Sequence, residues 1–351
     1  MFPYAVRPLV SQRIIDNVCE ALNTYQGIDV TVPAVDTIIE ADGDHIAAIP
    51  DRSRLQRGQT PQAFRLSVIS EAYKRAFNDP DFKVTDDCGV VVKYMPEVPV
   101  HLVAGEESNM KLTYKEDTFL LDKLFQLRGS QAPEVPGKEH FGGRVAVVFG
   151  GSYGIGKDIA TELRNAGAKV YSFSRSLTGT DVGNRRDVAR ALKEVADKEG
   201  KIDYVINTAG VLNKEPLCSM DYSIIQAAVQ TNYMGTVNVA LEAYNYLKQT
   251  QGQLIFFTSS SYTRGRAFYS IYSSTKAAIV NFVQAIAQEW ESVGIRVNCI
   301  NPERTKTPMR VKNFGVEPDD TLLKSEVVAD ATVRCLMADY TGQVIDVKRQ
   351  G

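Results

Sequence analysis

The segment Ser270-Ile-Tyr272-Ser-Ser-Thr-Lys276 sets a phenol and an ammonium four positions apart, on one face if the segment is helical. A free phenol titrates near ~10, so it exchanges protons poorly at neutral pH unless a nearby cation favours the phenolate. Lys276 is such a cation, although on spacing alone an incidental surface pair explains the two residues at least as well. Thirteen residues before Tyr272, the hydroxyls of Thr258-Ser259-Ser260-Ser261 close an apolar run. Ser259, or Ser260 in its place, is a candidate to hydrogen-bond an oxygen beside the phenol. Asn207-Thr-Ala-Gly210 closes an earlier apolar run, and Asn232 lies in Thr231-Asn-Tyr-Met-Gly235.

A second group of residues has the chemistry of a phosphate cradle. Val145-Ala-Val-Val-Phe149 is followed directly by Gly150-Gly-Ser152-Tyr153-Gly154-Ile155-Gly156. Glycines there let a backbone turn sharply and approach a pyrophosphate, which then sits at the N-terminus of the next helix. Such a loop is informative because it falls between a buried strand and a helix. The next apolar run ends Ser172-Phe173-Ser174-Arg175, with a cation and no acid. An acid at that point holds the ribose hydroxyls of NAD, whereas a guanidinium suits the 2′-phosphate of NADP. A solvated surface arginine is the plain alternative; NADP is favoured.

These groups need elements to hold them. From residue 144 onward, apolar runs at 144–149, 169–174, 204–207, 254–258, 296–301 and 343–347 alternate with helical patterns at 157–166, 224–248 and 274–291. That alternation predicts a doubly wound parallel sheet with ligands at the carboxyl ends of its strands. Upstream, Phe119, Leu120, Leu124 and Leu127 share a helical stripe. The Gly-, Pro- and Ser-rich stretch that follows marks a boundary. Two domains are expected, 1–128 and 143–351, joined by a linker at 129–142.

Composition narrows the chemistry. The chain has 351 residues, 44% hydrophobic and 23% charged, with a formal charge of -2. Neither nucleic acid nor an anionic membrane is an expected partner, and no apolar run approaches the ~20 residues of a membrane span. The first residues lack the blocks of a secretory signal, so a cytoplasmic protein is expected. The five cysteines are widely spaced, which predicts reduced thiols. The only histidines are His45, His101 and His140. The second half therefore holds no Ser-His-Asp triad or His-based zinc site, and no metal ligands are expected.

With these motifs in order, residues 144–347 resemble the short-chain dehydrogenase/reductases. That family runs through T-G-x-x-x-G-x-G, N-x-A-G, Asn, Ser, Y-x-x-x-K and a P-G turn. The resemblance implies a Rossmann fold and a nicotinamide cofactor. Cofactor contacts would come from Gly150, Ser152, Tyr153, Gly154, Ile155, Gly156, Ser174, Arg175, Asp181, Asn207, Ala209, Gly210, Tyr272, Lys276 and Pro302. It further implies that Ser259 hydrogen-bonds a substrate carbonyl and Tyr272 delivers the proton. Lys276 would lower the Tyr272 pKa and hold the nicotinamide ribose, and Asn232 would fix a relay water. Three positions depart from the family: Phe149 replaces its Thr, Asn301-Pro302-Glu303 replaces the P-G turn, and only six residues separate Ser174 from Asp181. Six residues cannot form a helical crossover, so a strand ending at Asp181 would be reached by an unusually compact route.

Cations cluster on the loops near the implied site: Arg264 and Arg266 before Tyr272, and Arg304, Lys306 and Arg310 after Asn301. Loop cations are often simply solvated. Their convergence would suit a phosphorylated carbonyl substrate.

Residues 1–128 contain Ala5-Val-Arg-Pro8, Val32-Pro-Ala-Val-Asp-Thr-Ile38, Pro50-Asp-Arg-Ser-Arg54, Gln59-Thr-Pro-Gln-Ala-Phe64, Thr85-Asp-Asp87 and Asn109-Met-Lys-Leu-Thr113. In this order they resemble the carboxyl-terminal half to two-thirds of cytidylyltransferases that join CTP to methylerythritol phosphate or ribitol phosphate. A partial α/β nucleotidyltransferase domain is thus expected before the Rossmann domain. The resemblance implies that Thr37, Arg52, Thr85 and Lys111 lie on the sugar-phosphate side, and that the segment around 36–54 forms a dimer arm. The family's glycine-rich CTP loop is missing, Tyr4 stands where its magnesium-binding Asp lies, and Ser108 replaces a second acid. A very poor cytidylyltransferase is expected, using magnesium and CTP only with the upstream part restored, as in a fragment of a longer bifunctional protein. The pairing of domains resembles bacterial enzymes of capsule and teichoic-acid-like polymer synthesis, in which one domain reduces ribulose 5-phosphate to ribitol 5-phosphate and the other activates it as CDP-ribitol. The expected function is NADPH-dependent reduction of a ketose phosphate by a homo-oligomer, dimer or tetramer. Two alternatives are polyol-phosphate cytidylyl transfer and a dimeric cofactor-binding scaffold without turnover.

Overall fold

The computed structural model describes residues 6–83, 86–128 and 141–349, save the side chains of 122, 123 and 126–128. The chain divides into two compact units, Met1–Phe125 and Gln126–Gly351.

In the first unit, β1 (Gly27–Pro33) lies between β4 (Gln56–Phe64) and β5 (Val100–Ala104), antiparallel to the former and parallel to the latter. Ser11 caps the Gln12–Ala21 helix by accepting the Ile14 N–H at 3.3 Å. The spacing of Ile14 and Val18 puts both on the face that packs against Ile28, Val30, Ala63 and Val103. Helices Leu66–Ala76 and Asp87–Tyr94 build a second cluster from Val68, Ala72, Val90 and Val91. The hairpin of β2 (Glu40–Asp42) and β3 (His45–Ala48) is exposed along its length. A helix does form at Asp117–Arg128, but Phe119 and Leu120 of its apolar stripe are exposed.

The second unit is a six-stranded parallel sheet of β6 (Val145–Phe149), β7 (Lys169–Phe173), β8 (Tyr204–Asn207), β9 (Gln253–Phe257), β10 (Arg296–Pro302) and β11 (Val344–Val347), in the order β11-β10-β9-β8-β6-β7. β6, β8 and β9 are buried at every residue, because apolar clusters cover both faces of the sheet. All six expected strands are present within a residue or two. Successive strands diverge from β6, with β7 on one side and β8 on the other, which opens a crevice at the carboxyl ends.

Three expectations change. Phe141, assigned to the linker by composition, is 1% exposed and packs on Tyr204 in the second unit's core; residues 129–140 of that linker lie outside the described residues. No strand carries Asp181. After β7 the chain makes one short turn, Arg175–Thr178, capped by Gly179, and passes Asp181 in a loop before the Arg185–Glu199 helix. The single helix expected over 224–248 is two, Tyr222–Val229 and Gly235–Thr250, joined by a π-helical turn at Gln230–Met234. Apolar periodicity cannot reveal one added residue in a turn.

Candidate active site

The glycine loop closes against the end of β8. Gly150 has φ +81°, and a Cβ there would lie 2.6 Å from Thr208 Oγ1 and 2.7 Å from the Ala209 nitrogen. A Cβ on Gly156 would lie 2.5 Å from the Gly150 carbonyl oxygen. Side chains are thus excluded where the loop packs against itself and against the end of β8. The Gly154–Asn165 helix begins at Tyr153 without a side-chain cap, leaving its first N–H groups for an anion. Asn207 is buried beneath this loop, its Oδ1 accepting the Ala209 N–H at 3.1 Å. Its role is to shape the β8 end rather than to line the space above it.

A crevice of about 420 Å³ follows the carboxyl edge of the sheet. Gly150, Ser152, Tyr153, Gly154, Ile155 and Gly156 line one end. Ser174, Arg175, Asp181, Ala209, Gly210 and Pro302 continue its walls. Ser259, Tyr272 and Lys276 lie along the same cavity. Ser174 uses its hydroxyl to accept the Leu177 N–H at 3.1 Å, while Arg175 is exposed and has no ion-pair partner among the described residues.

The Ser270–Trp290 helix positions the phenol and the amine. Its buried face runs through Lys276, Ile279, Val280, Val283 and Ala287, so the helical period itself carries the ammonium inward. Lys276 is 5% exposed and donates to the Phe257 carbonyl at 2.8 Å. Its Nζ is 5.6 Å from the Tyr272 ring centroid. Burial pulls the Lys276 pKa down to about 8. Burial also raises the Tyr272 pKa, opposed by the neighbouring Ser259 hydroxyl. The net shift of the phenol is thus upward, opposite to the lowering expected from Lys276, because desolvation disfavours the phenolate. Ser259, not Ser260, is the serine beside the phenol; the Ser260 hydroxyl instead accepts from Arg266 at 3.0 Å.

Asn232 sits in the π-helical turn, 1% exposed, below the crevice. Its amide clamps both main-chain groups of Val211, accepting at 2.8 Å and donating at 2.9 Å. Its own carbonyl accepts the Thr236 hydroxyl at 2.9 Å.

The basic loops divide. Arg266, Arg304 and Arg310 reach the crevice wall, whereas Arg264 and Lys306 do not. Lys306 is instead paired with Asp319 at 2.7 Å. Arg310 makes two bonds to Glu317, at 2.6 and 2.8 Å, and lies over the Phe314 ring. The Glu317 carboxyl is held below its usual range by Arg310. Its charge is therefore already compensated. Arg304 is exposed and makes no direct ion pair among the described residues, although its charge, like that of Arg310, helps hold the Glu317 carboxyl down. Thr307, unmarked by the motifs, lines the crevice and caps the Pro308–Phe314 helix by accepting the Arg310 N–H. Thr-Pro is a cap signature that was legible in the chain.

In the first unit, Thr37, Arg52 and Lys111 are exposed, and the Arg52 guanidinium donates to the Val35 carbonyl at 2.9 Å. Thr85 and Tyr4 lie outside the described residues. Ser108 hydrogen-bonds Glu106, whose carboxylate also holds Ser11 and Arg13. No three His, Cys, Asp or Glu side chains among the described residues could hold a metal ion. No helix among them is long and apolar enough to cross a membrane.

Residues 144–316 match the short chain dehydrogenase model, and residues 4–126 match that of 2-C-methyl-D-erythritol 4-phosphate cytidylyltransferase. The bifunctional ribulose 5-phosphate reductase/CDP-ribitol pyrophosphorylase of Haemophilus influenzae is 47% identical over 349 residues, covering 98% of this chain and 73% of its own. The chain belongs to this bifunctional family. The alignment with that protein runs through both units, and the second unit is an oxidoreductase of the short-chain type. The 2-C-methyl-D-erythritol 4-phosphate cytidylyltransferase of Thermobifida fusca is 48% identical over 127 residues, and the chain spans 51% of that protein. Among solved structures, a 3-ketoacyl-(acyl-carrier-protein) reductase from Brucella melitensis complexed with NADH superposes with a TM-score of 0.55 at 22% identity, over 59% of this chain and 97% of that one. That likeness establishes the fold of the second unit.

Proposed function

We propose that the second unit reduces a ketose phosphate, ribulose 5-phosphate, to ribitol 5-phosphate with NADPH, and so supplies the polyol phosphate for CDP-ribitol synthesis. The observation that carries the reading is the meeting of Ser259, Tyr272 and Lys276 with the glycine loop in one crevice that Arg304 borders. The loop fits a pyrophosphate because it leads into the N-terminus of the Gly154–Asn165 helix, which no side chain caps. Bound there, NADPH supplies a hydride to the carbonyl carbon. Ser259 donates a hydrogen bond to the carbonyl oxygen, and Tyr272 gives that oxygen its proton, which completes the alcohol and leaves a phenolate. Lys276 stabilises the phenolate from within the same buried face, and Asn232 holds the floor through which a water returns the proton. Arg175 selects the 2′-phosphate of NADP, since no acid ends β7.

Of the five loop cations, Arg304 and Arg266 are the proposed phosphate ligands, because Lys306 and Arg310 already hold carboxylates. Cytidylyl transfer by the first unit is proposed to be weak, because Tyr4 and Ser108 stand where acids would hold magnesium. NADPH oxidation against a panel of ketose phosphates, with NADH as control, tests the reading. Rapid oxidation with ribulose 5-phosphate and slow oxidation with NADH are expected; no ketose phosphate supporting turnover would overturn it.

A further inference from the structure

Ser259 does not stand alone. It caps the turn Ser260–Tyr262, its Oγ accepting the Ser261 N–H at 3.2 Å. The Oγ atoms of Ser259 and Ser261 lie 3.0 Å apart. Ser261 is 4% exposed and lines the crevice beside Ser259.

A serine hydroxyl has one proton to donate and two lone pairs. The Ser261 N–H occupies one lone pair of Ser259. If Ser259 spent its proton on Ser261, none would remain for a carbonyl oxygen. A buried hydroxyl whose proton finds no acceptor is unfavourable, because its lost hydration is not replaced. The acceptor the structure offers to the Ser261 hydroxyl is Ser259 Oγ.

We infer that Ser261 is a positioning residue that donates its hydroxyl proton to Ser259, so that both lone pairs of Ser259 are filled and its own O–H is turned toward the substrate carbonyl. This rests on the reductase reading above. The arrangement is a two-step relay of hydrogen bonds in which no bond is broken. Each donation polarises the next and strengthens the bond received by the developing alkoxide.

The test is a kinetic cycle on the full chain, with Ser259→Ala, Ser261→Ala and the double variant, using NADPH and ribulose 5-phosphate. Ser261→Ala is expected to lower kcat about tenfold, the worth of one neutral hydrogen bond, with KM within about twofold of the parent. Ser261→Thr, which keeps the hydroxyl, is expected to restore kcat. Ser261→Cys, a similar shape with a weak donor, is expected to lose it as Ala does, and serves if Ser261→Ala folds poorly. The double variant is expected to be no slower than Ser259→Ala, since Ser261 acts only through Ser259. Parental kcat in Ser261→Ala beside a crippled Ser259→Ala overturns the relay and leaves the reductase reading intact. Multiplicative losses in the double variant overturn it as well. A Ser259→Ala enzyme with parental kcat overturns both.

Discussion

The two units use related α/β packing but differ at the carboxyl ends of their strands. In the second unit, strand order reverses around β6, and motifs spread from residue 150 to residue 302 line one crevice. In the first unit, β1 is flanked by an antiparallel and a parallel neighbour. Its motif residues Thr37, Arg52 and Lys111 lie on exposed segments. Polar groups there are spent on structure: Gln62 bridges Asp29 and Asp86 at 3.1 and 3.0 Å, and Asn109 is buried against Gln59 and Thr60. Family motifs mark ancestry equally in both units, but in the second the topology gathers them along one crevice, whereas in the first Thr37, Arg52 and Lys111 lie on exposed segments.

The sharpest way to break this contrast is Tyr272→Phe, which removes the proposed proton donor. It is expected to lower kcat about a thousandfold, within the range for general acid catalysis; retention of a tenth of the activity would mean that the crevice is not the catalytic centre. Gly156→Ala should weaken NADPH binding about a hundredfold in fluorescence titration, because its methyl group would meet the Gly150 carbonyl. Arg304→Ala is expected to raise KM for ribulose 5-phosphate about tenfold by loss of a charge-assisted bond. Lys306→Ala, already paired with Asp319, should stay within about twofold, and equal effects of the two would erase the distinction between cations with and without a direct ion pair.

The pH dependence follows from Lys276. Burial holds its pKa near about 8, so the ammonium is lost as pH rises through that value. Reductive kcat/KM, which reports the free enzyme, is expected to fall toward tenfold per unit above about 8, and Lys276→Met should flatten that limb. For stability the sign is opposite. Between about 8 and the ordinary lysine value, the unfolded chain binds more protons at this residue than the folded chain, so this group's contribution rises with pH across that window. The smallest effect is expected for Arg52→Ala, whose reductase kcat/KM should match the parent within about twofold; a large loss would tie the first unit to the reductase chemistry.

Local order along the chain was enough to predict the six parallel strands and the glycine loop, whereas reading Tyr272 and Lys276 as a working pair needed the order of all the motifs and the family they resemble. Strands buried on both faces are continuous apolar runs, a helical face repeats every three to four residues, and glycines are needed where backbones pass close. The tertiary structure alone decided which cations form direct ion pairs, because the carboxylates that neutralise Lys306 and Arg310 sit on neighbouring loops whose approach no spacing reveals. It also decided that Asp181 follows a short turn rather than a strand, that Asn232 occupies a π-helical turn, and that Ser259 rather than Ser260 faces the phenol. The direction of the Lys276 and Tyr272 shifts belongs to the same class. Residue types promise mutual stabilisation of opposite charges, but the depth at which the helix lies against the sheet sets the desolvation that opposes it.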